Sequence, residues 1–250
     1  IDFDALETYL EKHREVGAMC VSRPTNPTGN VLTNDEIRHL SALAYKYNIP
    51  LFVDNAYGLP FPNIIFTEDA KPYWDSSVIL SMSLSKIGLP SLRTGIVVAK
   101  PELIKALASV NSIVALASGS LGQVISQDLF ATGKMKTLAE SYVRPFYQQK
   151  SLFAQNCFKE FFAGTNYSVH KSEGAIFNWI LMNDLKIPTK ELYVKLKDQG
   201  VITVPGEYFF FGTPEHEHYD KCLRINYSRP EDEVREGIRI IAETYKKFCK

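Results

Sequence analysis

The sequence predicts an α/β region with a mostly parallel sheet over residues 1–140, followed by a smaller α+β region over residues 141–250. Three observations carry that reading. Two short apolar runs, "GAMCVSRP" and "LFVD", flank a helical stretch of about four turns, the pattern of a βαβ unit with parallel strands and a right-handed crossover. Two more apolar runs, "SSVILSM" and "TGIVVA", follow and extend the sheet. After residue 120 the pattern turns mostly helical and then alternates short strands with helices.

Each element has its own signal. The opening "IDFDALETYL" is already in helical register. The strand at 17–24 ends at Pro24, and the turn cluster "TNPTG" follows it. "TNDE" at 33–36 has capping-box spacing: Thr33 can cap and Glu36 can reach back. Behind it Ile37, Leu40, Ala44 and Tyr47 recur at helical spacing until Asn48 and Pro50 stop the helix. "LFVD" at 51–54 is the second strand, and "PELIKALASV" opens a helix with Pro101 in its first turn. A long helical stretch runs to about residue 163, with the boundary between the two regions inside it, near residue 140. "NYSVHKSEGAIFNWILM" reads as a strand pair around a turn, "IPTKELYVKLKDQG" as a helix ending at Gly200, and "VITVPG" and "KCLRINYS" as strands. The last helix follows Pro230 and puts Val234, Ile238, Ile241, Ala242 and Tyr245 on one face.

Composition narrows the function class. The chain has 250 residues, 45% of them hydrophobic, enough for a sizeable core. Acids and bases balance at 28 each, which argues against nucleic acid or an anionic membrane as partner. No apolar run approaches a membrane span, and no basic-then-apolar leader opens the chain. Cys20, Cys157, Cys222 and Cys249 are scattered without a C-x-x-C pair, so a reduced, cytoplasmic compartment is expected. The chain begins at Ile1 rather than at methionine, as a processed or truncated piece of a longer protein would.

In an open parallel sheet, ligands bind beyond the carboxyl ends of the strands. Asn26 lies past the first strand, Asp54 and Tyr57 at and past the second, and Ser83, Ser85 and Lys86 past the third. A lysine amine suited to covalent catalysis takes a carbonyl partner. An aspartate beside it can keep a heterocyclic nitrogen protonated, serines and an arginine can hold a phosphate, and a phenol and an amide can hold a ring hydroxyl. Together these requirements describe pyridoxal 5'-phosphate.

"NPTG" with Asn26, "DNAYG" with Asp54 and Tyr57, and "SLSKIGLPSLRTG" with Lys86 and Arg93 resemble, in order and spacing, the class I/II aminotransferases of the type I pyridoxal-phosphate fold. "GVITVPGEYF" and "CLRINYS" resemble that family's small-domain motifs, so the resemblance covers almost the entire chain. It implies that residues 1–140 are the C-terminal portion of the cofactor-binding large domain and residues 141–250 the small domain. It implies that Lys86 bonds the cofactor aldehyde and moves the substrate Cα proton, and that Asp54 pairs with the pyridine nitrogen. Asn26 and Tyr57 then bond the ring hydroxyl, Ser83, Ser85 and Arg93 the phosphate, and Arg224 grips the substrate α-carboxylate, with Asn26 also placed at the substrate. The implied reaction passes an amino group between an α-amino acid and a 2-oxo acid in a homodimer.

The family pattern is modified in two places. Seven positions separate Lys86 from Arg93, one fewer than in many class I enzymes, and this shorter form is similar to the valine–pyruvate aminotransferases. That likeness implies valine or alanine exchanging with pyruvate. The family's N-terminal glycine-rich phosphate turn and ring-stacking aromatic have no counterpart in the sequence, which implies half a pocket and an inactive isolated fragment.

Other readings stand beside these. Asp54 can cap a turn, Ser83 and Ser85 can bond the backbone, Tyr57 can be packing, and Arg224 can pair with an acid between strands. "HEH" at 216–218 reads as an exposed loop rather than a metal site, since no further ligand follows at zinc-like spacing. "FFF" at 209–211 reads as packing near the mouth of the site. At the level of function, another reaction on the same cofactor, such as β-elimination or racemisation, and a non-catalytic effector domain of a transcription regulator remain open.

Overall fold

A computed structural model describes residues 1–249. The chain divides into two compact units: residues 1–25 with 31–144, and residues 26–30 with 145–250.

The first unit is α/β. Strands β1 (Met19–Ser22), β2 (Leu51–Asp54), β3 (Val78–Ser83) and β4 (Gly95–Val98) form one sheet in that order. β1, β2 and β3 are parallel, with Ser22 opposite Asp54 and Asp54 opposite Ser81. The crossover from β1 to β2 is α2 (Asn34–Tyr47). Its start matches the sequence: Thr33 accepts from the Glu36 amide at 3.1 Å, and Glu36 accepts from the Thr33 amide at 2.8 Å. Its end is Asn48 in the left-handed region (φ 53), where the amide closes back on the last turn. Ile37, Leu40 and Ala44 of α2 pack with Leu51, Val53, Val78 and Leu80 of the sheet and with Leu10 of α1 (Phe3–Lys12) in one core. Each such fully buried aliphatic side chain contributes roughly 1.5–3 kcal/mol.

β4 runs antiparallel to β3, with Ser83 opposite Gly95. The connection explains the reversal. A parallel return needs a crossover of about a dozen residues or more, most often a helix. Residues 84–94 are instead taken up by two 3₁₀ turns, Leu84–Ile87 and Pro90–Leu92, and the chain re-enters the sheet beside the strand it left. After β4 come α3 (Pro101–Ala115), α4 (Leu121–Ala131) and α5 (Lys134–Leu138). α3 buries none of its side chains; Val110, Ile113 and Val114 are exposed.

The second unit is α+β. Its sheet is antiparallel throughout, in the order β5 (Tyr167–Val169), β6 (Phe177–Met182), β8 (Cys222–Asn226), β7 (Val204–Pro205). Helices α6 (Arg144–Phe161), α7 (Thr189–Lys197) and α8 (Glu231–Lys247) supply the rest of its core. Val234, Ile238, Ile241, Ala242 and Tyr245 are all buried, the stripe expected from the sequence. They meet Ile180 and Met182 of β6 and Phe158 of α6. Residues 26–30 belong here by their bonds: the Gly29 carbonyl accepts from the Glu173 amide at 3.1 Å. Gly29 has φ +75, and a Cβ there would lie 3.1 Å from the Gly174 carbonyl oxygen.

Among the described residues no helix is long and apolar enough to cross a membrane. The four cysteines are free thiols.

Candidate active site

The first unit gathers its chemistry at the carboxyl edge of its sheet. Because β1, β2 and β3 are parallel and in register, Ser22, Asp54 and Ser83 all leave the sheet at that edge. The antiparallel β4 starts there too, and Gly95 opposite Ser83 brings Arg93 to the same edge. Side-chain chemistry that the sequence spreads over residues 54–93 is thus collected by topology.

Asp54 ends β2 with an exposed side chain, and its Oδ1 accepts from the Ala56 amide at 3.1 Å. Ser83 caps the 3₁₀ turn: its Oγ accepts from the Ser85 amide at 3.1 Å. These are the local backbone bonds that Asp and Ser favour after a strand, and they set the direction in which Ser85 and Lys86 leave it. Leu84 is fully buried and its amide donates to the Thr94 carbonyl at 3.1 Å, which anchors the turn. Lys86, half-buried, carries its Nζ 5.3 Å from the centre of the Tyr57 ring. Gly88 closes the turn at φ 108, and Arg93 follows at φ 46 with its side chain exposed.

Arg23 stands directly after β1 but is buried, and burial lowers its pKa below the ordinary guanidinium value. Its Nη1 donates to the Lys71 carbonyl at 3.1 Å and its Nη2 to Asn34 Oδ1 at 2.7 Å. That guanidinium is engaged in tying the strand end to α2, whereas the side chain of Arg93 is exposed.

The second unit contains the other two predicted residues, and it brings them together. Arg224 sits in the middle of β8, opposite Trp179 of β6 and Val204 of β7. Its Nη1 donates to Asn26 Oδ1 at 2.7 Å. Its guanidinium carbon lies 5.1 Å from the centre of the Phe177 ring and 5.2 Å from that of Phe209.

Three features of this unit were not found in the sequence. Phe177 and Trp179 flank Arg224 on one face of the sheet; the alternation in "FNW" was the available signal. Phe209 reaches Arg224 from the "FFF" run, with Trp179 edge-on to it at 5.5 Å, whereas Phe211 is exposed. Glu207 is buried and accepts from Thr189 Oγ1 at 2.6 Å and the Lys190 amide at 3.1 Å, capping α7. Beside it burial pushes the Cys222 thiol up to about 12, with the charges of Glu207 and Asp220 adding to the shift. The "HEH" residues lie outside any strand, in a run of turns where the His218 amide donates to His216 Nδ1 at 3.1 Å. Among the described residues no group of three or more His, Cys, Asp or Glu is placed to hold a metal.

The donor set at the first sheet's edge fits pyridoxal phosphate chemically. An amine for the aldehyde, an exposed carboxylate for the ring nitrogen, a phenol, two hydroxyls and a guanidinium all lie within one short stretch of the fold.

The sequence model of the aminotransferase class I and II family matches residues 1–241. The chain belongs to the class I and II aminotransferases. It is 42% identical over 244 residues to the valine–pyruvate aminotransferase of Escherichia coli (strain K12), an alignment covering 97% of this chain and 57% of that protein. Among solved structures, a chain from Psychrobacter arcticum 273-4 superimposes with a TM-score of 0.96 at 44% identity, covering 99% of this chain and 57% of its own. The valine–pyruvate aminotransferase from Salmonella typhimurium LT2 superimposes with a TM-score of 0.89 at 44% identity, covering 93% of this chain and 60% of its own. This aminotransferase-family chain therefore spans a little under 60% of the length of the curated relative, at 57%. The type I fold expected from the sequence is the fold observed: a mixed α/β sheet unit and a smaller unit built on an antiparallel sheet.

Proposed function

We propose that the protein is a pyridoxal-phosphate-dependent aminotransferase that exchanges an amino group between an α-amino acid, valine or alanine, and a 2-oxo acid, pyruvate. One observation carries the reading. The carboxyl edge of the first sheet presents Asp54, Ser83, Ser85 and Lys86, with Arg93 re-entering beside them, in a chain of this family.

In this reading Lys86 holds the cofactor through its amine. Asp54 offers its carboxylate to the ring nitrogen, Tyr57 and Asn26 donate to the ring hydroxyl, and Ser83, Ser85 and Arg93 bind the phosphate. Pyridoxal phosphate supplies an electron sink for the bond broken at the substrate Cα. Lys86 Nζ would take the substrate Cα proton. Tyr57, whose ring lies beside that Nζ, bounds the path the amine can sweep. Arg224, with its fork braced by Asn26, would take the substrate α-carboxylate. The choice of valine or alanine with pyruvate rests on the 42% identity to the Escherichia coli relative and on the short Lys86–Arg93 spacing. Homodimer formation is part of the proposal, supported by the apolar side chains that α3 leaves exposed.

The test is a two-substrate assay on the full-length protein with pyridoxal phosphate. Valine and pyruvate should yield alanine and 3-methyl-2-oxobutanoate, with no turnover when pyruvate is omitted. Release of ammonia without an acceptor acid would replace the reading with a lyase.

A further inference from the structure

Arg224 is held by more than its hydrogen bond. Trp179 is directly opposite it across the β6–β8 ladder, so both side chains project from the same face of the sheet. Phe177, two residues along β6, shares that face and stands diagonal to Arg224. Its ring centre is 5.1 Å from the guanidinium carbon. The second ring, Phe209, arrives by a different route. The 3₁₀ turn Gly206–Tyr208 is pressed against β8 so closely that a Cβ on Gly206 would lie 2.7 Å from the Cys222 carbonyl oxygen. The Phe209 amide donates to the Gly206 carbonyl at 2.8 Å, and Glu207 pins the turn to the start of α7 through Thr189 and Lys190. The product of this construction is a Phe209 ring 5.2 Å from the guanidinium and braced by the edge of Trp179.

A guanidinium over aromatic faces is attracted by their electron-rich centres, and stacked planes restrict its rotation. Carboxylate recognition by a planar fork depends on that orientation, because both N–H groups must align at once. We propose that Phe177 and Phe209 are positioning residues for carboxylate recognition: they orient the Arg224 guanidinium so that the fork meets the substrate α-carboxylate without first being ordered. This rests on the reading of Arg224 given above and adds the residues that set its selectivity for acids over amines. Their contribution is to the affinity and orientation of the carboxylate, not to the proton transfer at Cα.

Three measurements on the full-length, cofactor-loaded protein test it. First, the dissociation constant of 3-methylbutanoate, a carboxylate without an amino group, is followed by ligand titration. Phe209→Leu keeps the apolar bulk and removes the ring; it should weaken binding by about tenfold, the scale of a desolvated cation–π contact. Phe209→Tyr keeps the ring and should stay within about twofold of wild type. Second, nitrogen-15 resonances of the Arg224 guanidinium should show slow rotation in wild type and Phe209→Tyr, and fast rotation in Phe209→Leu. Third, KM for valine should rise in Phe209→Leu while kcat and the turnover of 2-methylpropylamine, which lacks the carboxylate, change little. Phe177→Leu repeats all three readings should the first variant fold poorly. Unchanged carboxylate affinity and unchanged guanidinium rotation in both leucine variants would overturn the positioning role while leaving the aminotransferase reading intact. Absence of carboxylate binding by the wild-type protein would overturn both.

Discussion

Arg224 and Asn26 are joined by a 2.7 Å hydrogen bond across 198 positions of sequence. Side-chain amide and guanidinium come from a strand of the antiparallel sheet and from the "NPTG" turn, and both belong to the same compact unit. An arginine braced on one side of its fork has less freedom to lose when it engages a carboxylate.

Replacing the fork should therefore cost more than replacing the brace. Arg224→Lys swaps a planar bidentate donor for a point charge and should lower kcat/KM for the amino acid by roughly tenfold to a hundredfold, the scale of one charge-assisted hydrogen bond. Asn26→Ala should raise KM by a smaller factor. Steady-state kinetics on folded variants decides, and equal effects on a substrate amine lacking the carboxylate would remove Arg224 from the proposed role.

Lys86 is expected to be the covalent attachment point. Pyridoxal phosphate followed by borohydride should leave a stable label on the peptide that contains Lys86, and Lys86→Ala should carry none. Amino exchange in that variant should fall by roughly a hundredfold to ten-thousandfold or more, the scale of a lost general base. A label found only on another lysine would reassign the centre.

Asp54→Ala should leave the fold intact, since the side chain is exposed at the strand end. Without its charge beside the ring nitrogen, single-turnover loss of the substrate Cα proton should slow by orders of magnitude, as several kcal/mol of electrostatic stabilisation would be removed. A rate within about tenfold of wild type would mean that Asp54 serves only its turn.

A stability prediction concerns Asp75, which precedes β3. Burial alone would push its carboxyl up, but hydrogen bonds from Ser41, Tyr73 and the Ser77 and Val78 amides outweigh burial and hold it below the ordinary value of 3.8. A carboxylate with a depressed folded-state pKa stabilises the fold above its unfolded pKa, and the contribution is lost as pH falls through the folded value. Asp75→Asn should thus be less stable than wild type near neutral pH, with the gap closing below pH 3.8. Urea midpoints measured across that range give the answer; a gap independent of pH would show that the charge is irrelevant.

The legible parts of the fold were those fixed by local physics. Thr33 and Glu36 announce their helix because a capping box involves only four consecutive residues. The stripe Val234, Ile238, Ile241 and Tyr245 follows from helical periodicity alone. Asp54 and Ser83 could be placed at one edge because parallel strands put their carboxyl ends together. The direction of β4 was not legible, since "TGIVVA" is equally apolar read either way and the turns before it decide. The surroundings of Arg224 were hidden for another reason: Phe177 and Phe209 meet it from separate elements, and no local pattern encodes a pairing between a strand and a distant turn. Glu207 was missed because a helix cap supplied from later in the chain leaves no signature at the helix start, where Pro188 holds the N-cap position without a side-chain bond.

The assignment of residues 26–30 to the second unit has a consequence for how this protein can be divided. Neither unit is one uninterrupted stretch of polypeptide: the chain leaves the first after Thr25, visits the second for five residues and returns at Val31. A polypeptide of residues 145–250 would begin life without the turn whose Gly29 carbonyl accepts from the Glu173 amide and without the Asn26 amide oxygen to which Arg224 donates. Gene fusion, circular permutation or exchange of the small unit between relatives must therefore carry "NPTG" along with it, or graft onto a host that supplies the same loop. The smallest interchangeable piece of this fold is a pair of segments.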